Sequence, residues 1–129
     1  MSANQKIESL TQETLNTINQ FNQAVNEHNL DLTMSLMTED CVFENTFPAP
    51  DGERFEGQVN VRAFWKAFFE SSLNAVFEFE EIFAGGERAI VRWHYHWKNA
   101  DGTSGRIRGV DVFKVKSGRV AEKFSYVKG

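Results

Sequence analysis

The chain has 129 residues, with 14 Lys and Arg against 18 Asp and Glu for a net charge of −4, which suits one domain with a real core. That balance, with no run of Lys or Arg, argues against a sequence-independent grip on nucleic-acid phosphates or an acidic membrane, and no apolar stretch approaches the roughly 18 residues of a membrane span. A lone Cys41 excludes an intrachain disulfide and a Cys-rich zinc site, so we expect one soluble, cytoplasmic domain over 1–129, unusually rich in Phe and Trp.

Residues 1–9 read as a flexible extension or a helix start. Neither Gly nor Pro precedes Pro48, and every Gly falls from Gly52 onward, which predicts a helical first third followed by turn-rich β structure. Leu10, Ile18, Phe21 and Val25 share one stripe, so roughly 10–27 is predicted as an amphipathic helix. Asn29 or Asp31 can cap a short second helix carrying Leu32, Leu36 and Met37. Cys41 to Phe47 reads as a strand, ended by Pro48-Ala49-Pro50-Asp51-Gly52. Val61, Phe64, Trp65 and Phe68 predict a third helix over roughly 58–72. From Ala75 the period becomes two, with strands expected at about 75–84, 87–99, 104–116 and 119–127. The expected fold is α+β, with three helices from the N-terminal half grouped on one side of a curved antiparallel sheet.

Two-residue loops at Gly85-Gly86 and Asp101-Gly102 place Phe77, Phe79, Arg92, His94, His96, Ile107, Gly109, Asp111 and Phe113 on one sheet face. Trp93, Tyr95, Trp97, Arg106 and Arg108 then share the other. The first mixes aromatic walls with a few titratable groups, as small-molecule pockets do; the second resembles an interface. The inverse assignment, with the indoles in the core and His94 and Arg92 in water, also fits the pattern, because a slip of one residue swaps every side chain. A three-residue loop at Lys116-Ser117-Gly118 would set Lys123 opposite Asp111, with Ser125 on the same face; a two-residue loop would set Phe124 there.

The segments Arg108-Gly109-Val110-Asp111-Val112-Phe113-Lys114-Val115 and Gly118-Arg119-Val120-Ala121-Glu122-Lys123, with Asn26-Glu27-His28-Asn29-Leu30-Asp31 and Phe55-Glu56-Gly57-Gln58-Val59, resemble the SnoaL-like branch of the nuclear transport factor 2-like (ketosteroid isomerase-like) superfamily. The resemblance implies a cone-shaped domain enclosing a pocket, a homodimer formed through the outer sheet face, and Arg92, His94 and Asp111 turned inward. Position by position, it also removes activities. Phe21 stands where the steroid isomerases hold an oxyanion-binding Tyr, and Asn45 where they hold a general-base Asp; Asp111 matches their second acid. Of the Asp-Arg-Asp set of limonene epoxide hydrolases only Arg92 is kept, with His94 and Ser125 at the Asp positions. The cyclase-type acid matches Asp111.

Asp111 and His94 are thus the candidate catalytic pair: burial among rings tunes a carboxylate toward acid–base work, and an imidazole can relay its proton. A register-fixing Arg92–Asp111 ion pair is the alternative. Asn45, Phe64, Trp65, Phe77, Phe79, Arg92, His96, Phe113, Lys123 and Ser125 are the candidate substrate-binding residues, Asn45 as a donor to a carbonyl oxygen. His94, His96 and Asp111 could form a two-His-one-carboxylate set, but no further ligand supports it, so neither metal nor cofactor is expected. The expected partner is a small apolar or aromatic molecule bearing a carbonyl or hydroxyl. The expected activity is isomerase- or cyclase-type, or else the chain is a non-catalytic binding or dimerisation module.

Overall fold

In the computed structural model, which describes residues 2–128, Ser2 and Gln5 form a capping box that starts α1 (Ala3–Asn26). The helix begins earlier than its apolar stripe predicts because its first turns are solvent-exposed and carry no stripe. Farther along, Ile18, Phe21, Ala24 and Val25 are buried, each large side chain contributing on the order of 1.5–3 kcal/mol by burial. Asn29 caps α2 (Leu30–Ser35) through its side-chain oxygen, which accepts from the Leu32 N–H at 3.1 Å. Leu36 ends that helix, and Met37 opens a strand rather than closing a helix.

The remaining elements are β1 (Met37–Glu44), β2 (Arg54–Glu56), α3 (Gly57–Ser71), β3 (Ala75–Gly85), β4 (Arg88–Lys98), β5 (Ser104–Lys116) and β6 (Arg119–Val127). Six strands form one curved sheet in the order β2-β1-β6-β5-β4-β3, in which β1 runs parallel to β6 and every other pair is antiparallel. Three-residue β2 is too short to show a period. The core lies between the concave face and α1 and α3, where Phe21 meets Trp65 and Phe113 edge-on, at 6.0 and 5.8 Å between ring centroids. Among the described residues no helix is long and apolar enough to cross a membrane.

Turn geometry decides which side chains face the core. The loop after β4 has three residues, Ala100-Asp101-Gly102: the Asn99 N–H donates to the Thr103 carbonyl at 2.7 Å, and Gly102 sits at φ +88°. This is the three-residue hairpin with Gly in the left-handed position. It shifts the β4–β5 pairing by one residue from expectation, to Trp93↔Gly109, Tyr95↔Ile107 and Trp97↔Gly105. The β3–β4 turn is Gly86-Glu87, and a bulge at Glu80 brings Phe77 opposite Tyr95 and Phe79 opposite Trp93. Strand β4 is therefore inverted relative to the first assignment, while β3 and β5 keep theirs. Trp93, Tyr95 and Trp97 face inward; Arg92, His94 and His96 face outward.

At the β5–β6 turn both Ser117 and Gly118 have positive φ, 51° and 75°, which makes a two-residue turn. A bulge at Ala121 then restores the expected face, pairing Asp111 with Ser125 and Phe113 with Lys123. Neither expected partner of Asp111, Lys123 or Phe124, lies directly opposite it.

Two glycines hold the register. A Cβ on Gly109 would lie 2.6 Å from the Trp93 ring and 2.3 Å from the Tyr126 carbonyl oxygen, and one on Gly105 would lie 2.2 Å from the Trp97 ring. Each indole thus rests on a backbone surface that only glycine leaves open. We expect Gly109→Ala to cost about 1–3 kcal/mol through overpacking, read as a lower urea midpoint; an unchanged midpoint would contradict this packing.

Candidate functional site

Asn26, in the last turn of α1, bonds the edge of the sheet as another strand would. Its Nδ2 donates to the Phe77 carbonyl at 2.9 Å, and its Oδ1 accepts from the Phe77 N–H at 3.0 Å. This protects the β3 edge and sets Phe77 against Tyr95, their ring centroids 4.5 Å apart. From the other side, α3 presents Phe64, Trp65 and Phe68 at helical spacing. Between them lies a cavity of about 100 Å³, whose aromatic wall comprises Phe43, Phe64, Trp65, Phe68, Phe77, Trp93 and Tyr95. Asn45 and Thr46, just past β1, complete it on the loop side.

At the base of this wall β5 and β6 bring together Asp111, Lys123 and Ser125, the first two only 3% and 7% exposed. Ser125 Oγ donates to Asp111 Oδ1 at 2.7 Å and accepts from Lys123 Nζ at 2.9 Å, while Nζ lies 3.3 Å from Asp111 Oδ2. The Lys123 ammonium also stands over the rings of Phe43 and Trp65, at 4.6 and 5.5 Å from their centroids. Burial pushes Lys123 below the ordinary lysine value, and the Asp111 carboxylate reverses part of that shift. The ammonium is thus held beside a carboxylate, and a hydroxyl bridges the two. Trp65 and Trp93 add two buried indole N–H donors with no partner in the protein, an arrangement that costs about 1–3 kcal/mol per donor unless an incoming acceptor relieves it.

Of the candidate site residues, Asn45, Phe64, Trp65, Phe77, Asp111, Lys123 and Ser125 line one cavity. Asn45 spends its side-chain oxygen on the Glu53 N–H at 2.7 Å, in the loop that follows β1, and keeps Nδ2 as its remaining donor. Phe79 does not line this cavity: it stacks beside Phe77 and backs a tighter void with Asn22 and Val25. Phe113 is fully buried in the core behind the cavity.

Three expected site residues lie elsewhere. Arg92 does not meet Asp111; it lies on the outer face, 3.6 Å from Glu80 and 3.9 Å from Glu81. His94 and His96 also point outward, beside Glu78, so His94 cannot relay a proton with Asp111 and the set His94, His96 and Asp111 cannot converge on one ion. The physical reason is the inversion of β4. Trp97 moves with it, off the outer face and onto Gly105. Phe43, Thr46, Phe68, Trp93, Tyr95 and Ile107 complete the lining, and of these only Ile107 was expected on the pocket face; the matched spacing of Trp93 and Trp97 with Gly109 and Gly105 was the signal that could have found Trp93 and Tyr95.

Cys41 is fully buried, and desolvation pushes its thiol up to about 11, away from the thiolate form that a nucleophile needs. The two partners are unequal in what a substitution leaves behind: Asp111→Asn keeps a polar group within reach of Ser125 and Lys123, whereas Lys123→Met removes the cation beside a buried carboxylate. We expect Lys123→Met to cost about 3–5 kcal/mol and Asp111→Asn distinctly less, by urea unfolding at neutral pH. Equal or reversed costs would contradict the asymmetry.

The SnoaL-like domain family matches residues 18–123. A solved nuclear transport factor 2-like protein of unknown function from Mesorhizobium loti is 38% identical, with a TM-score of 0.78 over 92% of this chain and 93% of that one. A candidate SnoaL-like polyketide cyclase from Jannaschia sp. CCS1 is 15% identical, with a TM-score of 0.78 over 92% and 88%. An epoxide hydrolase of the LEH-like type from M. tuberculosis is 18% identical, with a TM-score of 0.73 over 92% and 84%. These last two likenesses concern the fold alone. A search of curated proteins finds no match. Family match, sheet order and helix-walled cavity agree: the chain belongs to the SnoaL-like family of nuclear transport factor 2-like domains.

Proposed function

We propose that the cavity binds a compact aromatic or apolar molecule carrying a carbonyl, and that Asp111, coupled to Lys123 through Ser125, moves a proton at the carbon beside that carbonyl. The observation that carries this reading is the buried Asp111–Lys123–Ser125 cluster at an aromatic-walled cavity that is also lined by Trp65 and Trp93, whose buried indole N–H groups have no partner. A carbonyl oxygen accepting from the Trp65 or Trp93 N–H, or from Asn45 Nδ2, would gain electron-withdrawing contacts where enolate charge develops. Asp111 would take the proton, and Lys123 would balance the charge on the carboxylate. Such isomerase- or cyclase-type chemistry uses only side chains of this chain. The lone Cys41 thiol is compatible with a reducing, cytoplasmic setting.

A second reading, binding without turnover, is supported by the cavity's size. About 100 Å³ is below the roughly 300–1,000 Å³ of typical ligand pockets, and the three polar groups at its base already satisfy one another. The outer sheet face bears on assembly. No described element covers it, and Phe83 and Tyr126 are each 54% exposed there, with Ile90, Val112 and Phe124 in cross-strand register from Phe83 to β6. We read this face as the contact with a second copy of the chain.

The readings separate by experiment. Against a series of aryl ketones, binding is followed by indole fluorescence, and deuterium uptake from D2O beside the carbonyl is followed by NMR. Turnover predicts catalysed uptake that Asp111→Asn abolishes while binding persists; binding with no uptake by the parent supports the second reading, and no binding rejects both. For assembly, sedimentation should give a dimer that Tyr126→Asp converts to monomer, and a monomeric parent would remove the outer face as an interface.

A further inference from the structure

The inversion of β4 that takes His94 and His96 from the cavity assembles them elsewhere. On the outer face Glu78 is in register with His94, and His96 follows two residues on along the same strand. His96 Nε2 lies 3.4 Å from Glu78 Oε2, and His94 Nδ1 lies 4.0 Å from the same oxygen. The two imidazole rings lie 3.9 Å apart between centroids, tilted by 41°. Ligand atoms from all three residues fall within 4.8 Å of one another, while the Nε2 atoms of both histidines are buried and have no hydrogen-bond partner.

These distances approach those that a tetrahedral ion requires, since bonds of about 2.0–2.1 Å set neighbouring ligand atoms about 3.3 Å apart. The charges nearby are already sorted. Arg108 donates to Glu80 at 3.0 Å, and Arg92 lies by Glu80 and Glu81. Glu78 is left to the imidazoles, and exposed Arg106, in register with His96, extends toward solvent. The cluster also lies toward the opposite end of β4 from the apolar patch around Ile90.

We propose that Glu78, His94 and His96 form a binding site for a divalent transition-metal ion, such as Zn²⁺, on the outer face of the sheet. Two imidazoles and one carboxylate favour Zn²⁺, Co²⁺ or Ni²⁺ over Mg²⁺ or Ca²⁺. Three protein ligands leave the fourth tetrahedral position to solvent. The ion would give the orphaned His96 Nε2 a partner, and this site shares no residue with the cavity.

The test is titration of the tag-free full chain with Co²⁺, read by the visible absorption of the bound ion. One ion per chain is expected. The band should vanish in His94→Gln and His96→Gln, and Glu78→Gln should weaken binding at least as much as the roughly tenfold that loss of an outer supporting group costs. His28→Gln, which alters the one remaining histidine, should keep the band. Zn²⁺ should raise the melting temperature of the parent and not of His96→Gln, whose metal-free melt reports its folding. No band in the parent, a band unchanged in the His94 and His96 variants, or a band lost with His28 would overturn the proposal.

Discussion

Two indoles lying on two glycines set the arrangement of this protein. Trp93 on Gly109 and Trp97 on Gly105 lock β4 to β5 in a single register, because any side chain at either glycine would occupy the ring's place. With a side-chain period of two, that contact decides every other position on the strand. It turns Tyr95 toward Phe77 and Phe68 to close the cavity wall, and it sends Arg92, His94 and His96 to the opposite face. The acid of the site and the imidazoles thus belong to different surfaces.

Of the residues lining the cavity, the charged ones belong to one cluster. Taking Lys123 and Asp111 out of water is costly, and their mutual attraction offsets this only because Ser125 completes the hydrogen bonding and aromatic faces surround the ammonium. Burial pushes Lys123 below its usual value, and the Asp111 carboxylate pulls it back. The same three side chains that make a structural ion pair are the ones proposed to move a proton. This fold family hosts many chemistries, so function rests on those parts rather than on the architecture.

The architecture was largely legible beforehand. Spacing located α1 and α3, and the change to period two at Ala75 located the hairpin strands; resemblance to a family turned Arg92, His94 and Asp111 inward, and of these only Asp111 lies on the concave side. Errors arose at turns and bulges. Asp101-Gly102 reads as a two-residue loop, but Ala100 joins it and Asn99 pairs with Thr103; Gly85-Gly86 slides to Gly86-Glu87, compensated by the bulge at Glu80. At the last hairpin a two-residue turn and a bulge at Ala121 offset one another, so the expected face survived although the partner of Asp111 did not.

What the amino-acid order determines by itself is periodicity: where helices and strands run, and which residues within one strand share a face. It does not determine how neighbouring strands align, because Gly-containing loops of two and three residues have nearly the same composition and differ by a residue in register. Only the packed structure chooses, through contacts between residues distant in sequence: the indoles against their glycines, Asn26 against Phe77, and Lys123 as the counter-ion of Asp111 where Arg92 was expected. Those contacts carry the energy that a local pattern lacks, and they fix which face of each strand is inside.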